Sequence, residues 1–315
     1  MRAVVEMIGY LLRRLAQMLP TALLAATLVF SLIHLIPGDP VEMMLGEGAQ
    51  RTDVAALRHD LGLDRPLLVQ YGAFLGGLLR GDLGRSLKSG EPVLAIIAGR
   101  FPATLELAFA SMLVALLVSL PLGVVAALHR DRALDHGARL LALLGVSVPS
   151  IWLGPMLILL FAISWDLLPV SGREGTASVL LPAITLGAGI TGLLVRMVRA
   201  ALADELMRPY LLVARARGVV AVAVVGLHAL KNALVPVVTV LGLQFGSLLT
   251  GAILTETIFA WPGVGRLLVE SIRLRDYPLL QGSVLLIAFT YLFVNLATDL
   301  VYAVLDPRIR YGRSS

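Results

Sequence analysis

The sequence predicts an all-α integral membrane protein with six transmembrane helices. Three observations carry that prediction. Hydrophobic residues make up 58% of the chain against 15% charged, and the mean hydropathy is +0.87. A soluble domain carries about 25% charged residues, so this chain cannot coat itself for water. Several apolar runs exceed the ~18 residues that mark a spanning helix. The basic residues gather in short segments at the ends of those runs, as membrane topology requires. A β-barrel would show short alternating segments instead.

The first predicted span covers residues 15–36. Basic residues precede it, as in a signal peptide. Its apolar run nevertheless continues to Ile36 and ends in Pro37-Gly38 without a small-residue cleavage site, which makes it an uncleaved span. The next spans fall at 103–128, 140–163, 179–195, 233–258 and 283–305, each near the ~20 residues a bilayer core needs. The fourth carries the weakest signal, its hydropathy only modest with Pro182, Thr185, Gly187, Gly189, Thr191 and Gly192 inside it. Charge decides in its favour. With the N-terminus inside, Arg2, Arg13, Arg14, Arg130, Arg132, Arg139, the bases of the 196–231 loop, Arg308, Arg310 and Arg313 all fall on the inner side. The short outer loops hold only Arg173, Arg266, Arg273 and Arg275. Deleting the fourth span would move the large basic cluster outside, against the positive-inside bias. Both termini are therefore expected in the cytoplasm. Trp165 and Trp261 then lie just beyond the outer ends of spans three and five, where interfacial anchors belong.

The predicted organisation is an N-terminal segment with the first span (1–36), an extracytoplasmic amphipathic segment (37–101) and a five-span core (102–315). In the middle segment acids nearly balance bases. Val54, Leu57 and Leu61 recur at helical spacing, as do Leu68, Tyr71, Leu75 and Leu78 after Pro66. These are expected to be short helices that form a small cap on the outer face.

The formal charge of +5 invites a nucleic-acid reading, but its placement at span ends is topological. Without cysteine there is no disulfide, thiolate metal site or cysteine nucleophile. Gly187-Ala188-Gly189-Ile190-Thr191-Gly192 fits the dinucleotide fingerprint, which functions only between a strand and a helix of a βαβ unit; inside a span it reads as a packing face. Gly242 and Gly246 read the same way. His129, His136, Asp131 and Asp135 crowd one short basic segment, where a solvated turn is favoured over a metal site. No HExxH, GxSxG or GxxxxGK[ST] is present, so any ATP that drives this protein must be bound by another chain.

Polar groups inside spans are costly and therefore informative. Ser147 and Ser150 in span three, and Thr239, Gln244, Ser247, Thr250 and Thr255 in span five with Glu256 at its outer end, suit either interhelical hydrogen bonds or a mildly polar passage. The candidate passage-lining residues are Ser147, Ser150, Thr239, Gln244, Ser247, Thr250 and Glu256. No central position carries a charge, whereas ion-coupled carriers often bury a carboxylate near midplane. Pro121, Pro149, Pro155, Pro182 and Pro236 are expected to bend their spans. Between spans four and five, Tyr210-Leu211-Leu212-Val213-Ala214-Arg215-Ala216-Arg217 reads as a short amphipathic helix stopped by Gly218, followed by a second short helix over 219–230.

Ile36-Pro37-Gly38-Asp39-Pro40, Leu61-Gly62-Leu63-Asp64-Arg65-Pro66, Gly81-Asp82-Leu83-Gly84 and Pro102-Ala103-Thr104-Leu105-Glu106-Leu107-Ala108 form one set of motifs. Ala214-Arg215-Ala216-Arg217-Gly218, His228-Ala229-Leu230-Lys231-Asn232, the stretch from Glu256 through Trp261-Pro262-Gly263-Val264-Gly265-Arg266, Arg275-Asp276-Tyr277-Pro278 and Asp306-Pro307-Arg308-Ile309-Arg310 form another. In this combination the chain resembles the dipeptide/oligopeptide/nickel permeases of ABC importers along nearly its whole length. The resemblance implies a type I ABC importer permease fold in a bacterial inner membrane. It implies that Leu212, Val213, Ala214, Arg215, Ala216, Arg217, Gly218, His228 and Asn232 belong to a loop that seats in a groove of an ATP-binding subunit. The implied partners are a second similar permease, two ATP-binding subunits and an extracytoplasmic substrate-binding protein. The chain itself binds no cofactor or metal; ATP and Mg are held by the partners. In two places the sequence departs from relatives. Leu212 stands where the general coupling motif has glutamate, and the 219–226 stretch is apolar where relatives commonly carry charge.

The expected function is ATP-driven import of di- or oligopeptides by alternating access, with no catalysis by this chain. A nickel, nickel-chelate, glutathione or opine-like substrate is the alternative within the family, the 166–178 loop and 129–132 turn being similar to nickel-type relatives. An ion-coupled secondary carrier and an intramembrane enzyme are the alternatives from other classes.

Overall fold

The computed structural model describes residues 2–35, 41–42, 50–60 and 62–305. The 36–40 motif, Leu61 and the 306–310 motif lie outside the described residues, as do the side chains of Arg2 and Leu57. Among the described residues the fold is helical, with an isolated bridge between Arg85 and Pro92. The helices are α1 (Arg2–Leu35), α2 (Arg51–Asp60), α3 (Leu67–Leu79), α4 (Val93–Leu128), α5 (Ala133–Ser147), α6 (Ser150–Leu157) and α7 (Leu180–Leu206). They continue as α8 (Pro209–Ala216), α9 (Ala221–Ala223), α10 (Leu230–Ile258), α11 (Val264–Leu274) and α12 (Tyr277–Leu305). In a bilayer only a helix or a closed barrel satisfies its own backbone, which is why every apolar run becomes helix.

Five of these helices, counting α9 and α10 as one continuous span, are long and apolar enough to cross a membrane, and one bent pair makes a sixth. That pair corrects the expectation of a straight third span. Residues 133–164 break by 100° between α5 and α6. The cause is local. Pro149 disfavours helix at the residue before it, and Val148 is extended at φ −85, ψ 117. Pro155, by contrast, lies inside α6, which runs on into a π-helical turn (Ile158–Ser164). Pro20, Pro102, Pro121 and Pro236 likewise lie inside continuous helices. α4 begins at Val93, well before the expected 103, and its 36 residues give about 54 Å, which exceeds a ~30 Å hydrocarbon core.

The fourth predicted span is the best buried. Within its most apolar window α7 is 56% buried, against 17% for α1 and 22% for α12. It packs along α4, α5 and α10, so protein rather than lipid surrounds it. Small residues permit this. A Cβ at Gly187 would stand 2.6 Å from the carbonyl oxygen of Ser111, and one at Gly192 would run into Ala142 of α5. Gly123 of α4 offers the reciprocal surface, since a Cβ there would stand 2.6 Å from Val198. Thr185 and Thr191 donate to the carbonyls of Leu181 and Gly187 at 2.8 and 2.9 Å, so their hydroxyls are satisfied within the helix. The packing-face reading of the glycine motif therefore holds at Gly187 and Gly192. Gly189 faces open space.

The cap does not stand apart. Phe74, Leu75 and Leu78 of α3 pack on Ala26 and Val29 of α1 and Leu285 of α12, and Tyr71 shares a 2.7 Å hydrogen bond with Thr27. α11 is an additional amphipathic helix at this end, its Val264 and Leu267 packed with Val93 and Ile97 of α4. At the opposite end Arg14 of α1 pairs with Asp299 of α12 at 3.1 Å. Trp165 is 55% exposed, as an interfacial anchor would be, but Trp261 is fully buried and donates its indole N–H to the Ala103 carbonyl at 2.8 Å. The anchor expectation fails for Trp261 because it joins the bundle core with Ala103 and Leu107 of α4 and Ala183 of α7, under the Arg173 guanidinium.

A paired substitution tests the packing of α7. Gly187→Ala should lower the melting temperature of the purified protein in detergent, the overpacking costing roughly 1–3 kcal/mol, while Gly189→Ala should leave it within experimental error.

Candidate functional site

The loop between α7 and α10 is built on one small apolar base. Leu211 of α8 is fully buried among Leu202 and Ala203 of α7, Ala127 of α4, Val224, Ala229 and Ala233. Pro209 at the first turn suits a helix start, because its missing N–H would be unpaired there anyway. The helix stops as expected. Gly218 takes φ 81, its N–H meets the Arg215 carbonyl at 3.0 Å, and the Val219 N–H meets Ala214 at 3.2 Å. With Leu211 as the anchor, Leu212, Val213, Arg215, Ala216, Arg217 and Gly218 are exposed, whereas Ala214 packs against the base.

The second loop helix is not a separate element. Ala221–Ala223 runs through a π-helical stretch (Val224–Ala229) straight into α10, giving one continuous helix over Ala221–Ile258. A Pro-free apolar sequence offers no residue to stop it before span five. The apolar 219–226 stretch divides by side. Val219, Val224 and Val225 join the base, while Val220 and Val222 are 68% and 83% exposed.

Polar contacts tie α8 to both neighbours. The Tyr210 hydroxyl donates to Glu205 Oε1 of α7 at 2.6 Å and accepts from Asn232 Nδ2 of α10 at 2.9 Å. Asn232 Nδ2 also lies 3.3 Å from Glu205 Oε1, and the His228 carbonyl lies 3.3 Å from the Tyr210 hydroxyl. Burial, and then the Glu205 carboxylate, push the Tyr210 phenol above its ordinary range, so it stays protonated and donates. Asn232 was a candidate from sequence. Tyr210 and Glu205 were not, because nothing local pairs residues on three different helices.

The candidate passage residues separate into two groups. Gln244, Ser247 and Thr250 recur on one side of α10; Ser247 and Thr250 are exposed and Gln244 half-buried. Ser247 donates to the Gln244 carbonyl at 2.8 Å, and Thr250 to Gly246 at 3.2 Å. Ser147 is exposed and Ser150 half-buried, on either side of the α5–α6 break. Thr239 and Glu256 are buried and face no open space. Glu256 instead closes the cap end. Its carboxylate accepts from Thr104 Oγ1 at 2.7 Å and from the Arg266 N–H at 3.0 Å, while Thr104 Oγ1 accepts from the Val264 N–H at 2.8 Å. Gly263 and Gly265 wrap this carboxylate so closely that a side chain on either would collide. The chain reversal from α10 into α11 puts Glu256 inside a turn rather than along a passage.

A second buried carboxylate closes the loop end. Asp135, expected in a solvated turn, is fully buried. Arg199 of α7 holds both its oxygens, at 2.7 and 2.6 Å, Arg139 lies at 3.2 Å and the Asp131 N–H at 2.9 Å. The signal missed in the sequence was an acid inside a basic turn, one helix away from an arginine near a span end. Among the described residues no group of three or more His, Cys, Asp or Glu could hold a metal ion.

Comparison with known proteins agrees with this architecture. The family described as binding-protein-dependent transport system inner membrane component matches residues 119–311, and its N-terminal companion matches 7–108. The dipeptide transport system permease protein DppB of Escherichia coli (strain K12) is 44% identical over 339 aligned positions, covering 98% of this chain and 100% of the relative. The glutathione transport system permease protein GsiC of Salmonella typhimurium (strain LT2) is 43% identical over 305, covering 97% and 100%. The di/tripeptide transport system permease protein DppB of Pseudomonas aeruginosa is 43% identical, covering 98% and 100%. An inward-facing structure of the MetNI methionine ABC transporter shares the fold, with a TM-score of 0.58 at 19% identity, over 69% of this chain and 99% of that one. The chain belongs to the family of binding-protein-dependent transport system inner membrane components. It is a multi-pass inner-membrane permease of an ABC importer, a transport component that works with ATP-binding and substrate-binding proteins.

The buried pair has a measurable consequence. Asp135→Ala leaves Arg199 only the exposed Asp131 carboxylate at 3.7 Å and should destabilise the protein by about 3–5 kcal/mol, seen as a lower melting temperature in detergent; adding Arg199→Leu should recover part of that loss.

Proposed function

We propose that this permease imports di- or oligopeptides by alternating access, driven by ATP hydrolysis on two separate ATP-binding subunits. The observation that carries the reading is the identity of 43–44%, over nearly the whole chain, to permeases named for dipeptide, di/tripeptide and glutathione transport. All three named cargoes are peptides, glutathione being a modified tripeptide. A second permease completes the passage, and the side of α10 that carries the half-buried Gln244 and the exposed Ser247 and Thr250 faces it. An extracytoplasmic binding protein delivers substrate at the cap end. The 196–232 loop lies in the cytoplasm with both termini, and α8 seats on an ATP-binding subunit through Leu212, Val213 and Arg215–Gly218. This chain binds no nucleotide, which accords with its lack of a GxxxxGK[ST] loop.

Reconstitution tests the assignment. The complex with its ATP-binding subunits and binding protein, in proteoliposomes, should accumulate a radiolabelled dipeptide only with ATP, and unlabelled peptides should compete. Uptake of nickel or its chelates without competition by peptides would assign the other branch, and uptake by the lone chain under an ion gradient would remove the importer reading. Gly218→Trp strains a left-handed residue and fills the exposed end of α8. Uptake per ATP hydrolysed should fall about tenfold or more, with the helices retained by circular dichroism.

A further inference from the structure

Two routes connect α8 to the passage helix α10. One is covalent, through Gly218, the short α9 and the π-helical stretch (Val224–Ala229). That route is compliant. It holds a glycine at φ 81 with open space around it, the exposed Val220 and Val222 after it, and a wide-turn segment in which Leu227 is exposed. The other route is the hydrogen-bonded set described above. Tyr210, in the first turn of α8, meets Asn232, in the first turn of α10, at 2.9 Å and Glu205, in the last turn of α7, at 2.6 Å. It crosses the intervening connector directly. The apolar contact of Leu211 with its base holds α8 down but does not fix its orientation, because hydrophobic contact has no direction. A hydrogen bond to an ionised carboxylate is directional and stronger than one between neutral groups.

We propose that Tyr210, held between Glu205 and Asn232, is the positioning residue that passes displacement of α8 to α10, so that the two helices and the end of α7 move as one body. The inference rests on the reading of α8 as the ATPase-coupling element. Tyr210 touches neither substrate nor nucleotide. It acts by fixing the first turn of the passage helix to the part of the loop that the ATP-binding subunit moves. The connector, with its glycine and π-helical stretch, then serves as slack that the hydrogen bonds bypass.

The test uses the full complex in proteoliposomes, measuring uptake of a radiolabelled dipeptide per ATP hydrolysed. Tyr210→Phe keeps the ring and removes only the hydroxyl. The ratio should fall about tenfold, the scale of one hydrogen bond to a charged group. Asn232→Leu should lower it similarly, and the double variant should be no worse than either single one. Because the chain has no cysteine, Ala216→Cys gives a unique site for cross-linking to an engineered cysteine on the ATP-binding subunit. A retained cross-link with a reduced ratio supports the proposal. A retained cross-link with an unchanged ratio overturns it and leaves the coupling reading standing. No cross-link to any position of the ATP-binding subunit removes the coupling reading, and this proposal with it. If Tyr210→Phe does not assemble, Glu205 decides: Glu205→Gln, which keeps an accepting oxygen, should rescue the ratio lost in Glu205→Leu, and equal ratios in the two would overturn the proposal.

Discussion

The close approach of α7 to α4 and α5 is the constraint on which the rest of the bundle depends. Helices in lipid gain little from hydrophobic burial against one another, since lipid tails are as apolar as leucine. Close packing has to supply the attraction, and that requires backbones near enough for dispersion to accumulate. Gly187 against Ser111, Gly192 against Ala142 and Gly123 against Val198 provide that approach at successive levels. A central helix of this kind can be only moderately apolar, because its neighbours are protein. The same small residues that lower its hydropathy allow it to stand in the middle.

Two buried carboxylates clamp the bundle at opposite ends. At the cap end Glu256 gathers Thr104 of α4 and the start of α11, with Trp261 closed beneath and bonded to Ala103. At the loop end Asp135 joins the start of α5 to Arg199 of α7. Each carboxyl group is satisfied by several donors, which a buried polar group demands. Between the clamps the polar side chains of α7 and α10 donate largely to carbonyls one turn back, so the middle of the bundle is held by packing. The bundle is thus pinned by polar contacts at its ends and held by packing in its middle.

The resemblance motifs divide along the same lines. Arg275-Asp276-Tyr277-Pro278 is a helix start, with Asp276 accepting from Ser86 at 2.5 Å and from the Leu279 N–H at 3.2 Å. Trp261-Pro262-Gly263-Val264-Gly265 is the wrapping of Glu256. Asp82 accepts from the Gly84 N–H at 2.9 Å, which makes Gly81-Asp82-Leu83-Gly84 a tight turn. These sequences read as function but are spent on architecture. The motif that ends at Gly218, in contrast, leaves Arg215, Ala216, Arg217 and Gly218 exposed, while Asn232 is tied to Tyr210 and Glu205.

The sequence by itself determined the membrane class, the number and order of apolar runs, the first loop helix and its stop at Gly218. Those features follow from local rules: apolar length against bilayer thickness, charge at span ends, and the left-handed conformation that glycine tolerates. It also located the fourth span, through charge rather than hydropathy. Only the tertiary structure decided that residues 133–164 bend by 100°, that Trp261 and Glu256 are buried, that Asp135 pairs with Arg199, and that Tyr210 reaches Asn232. Each depends on residues distant in the chain, and burial of a charge or an indole is settled by what folds over it. Hydropathy reports how a segment meets its surroundings on average; it does not say whether those surroundings are lipid, water or another helix.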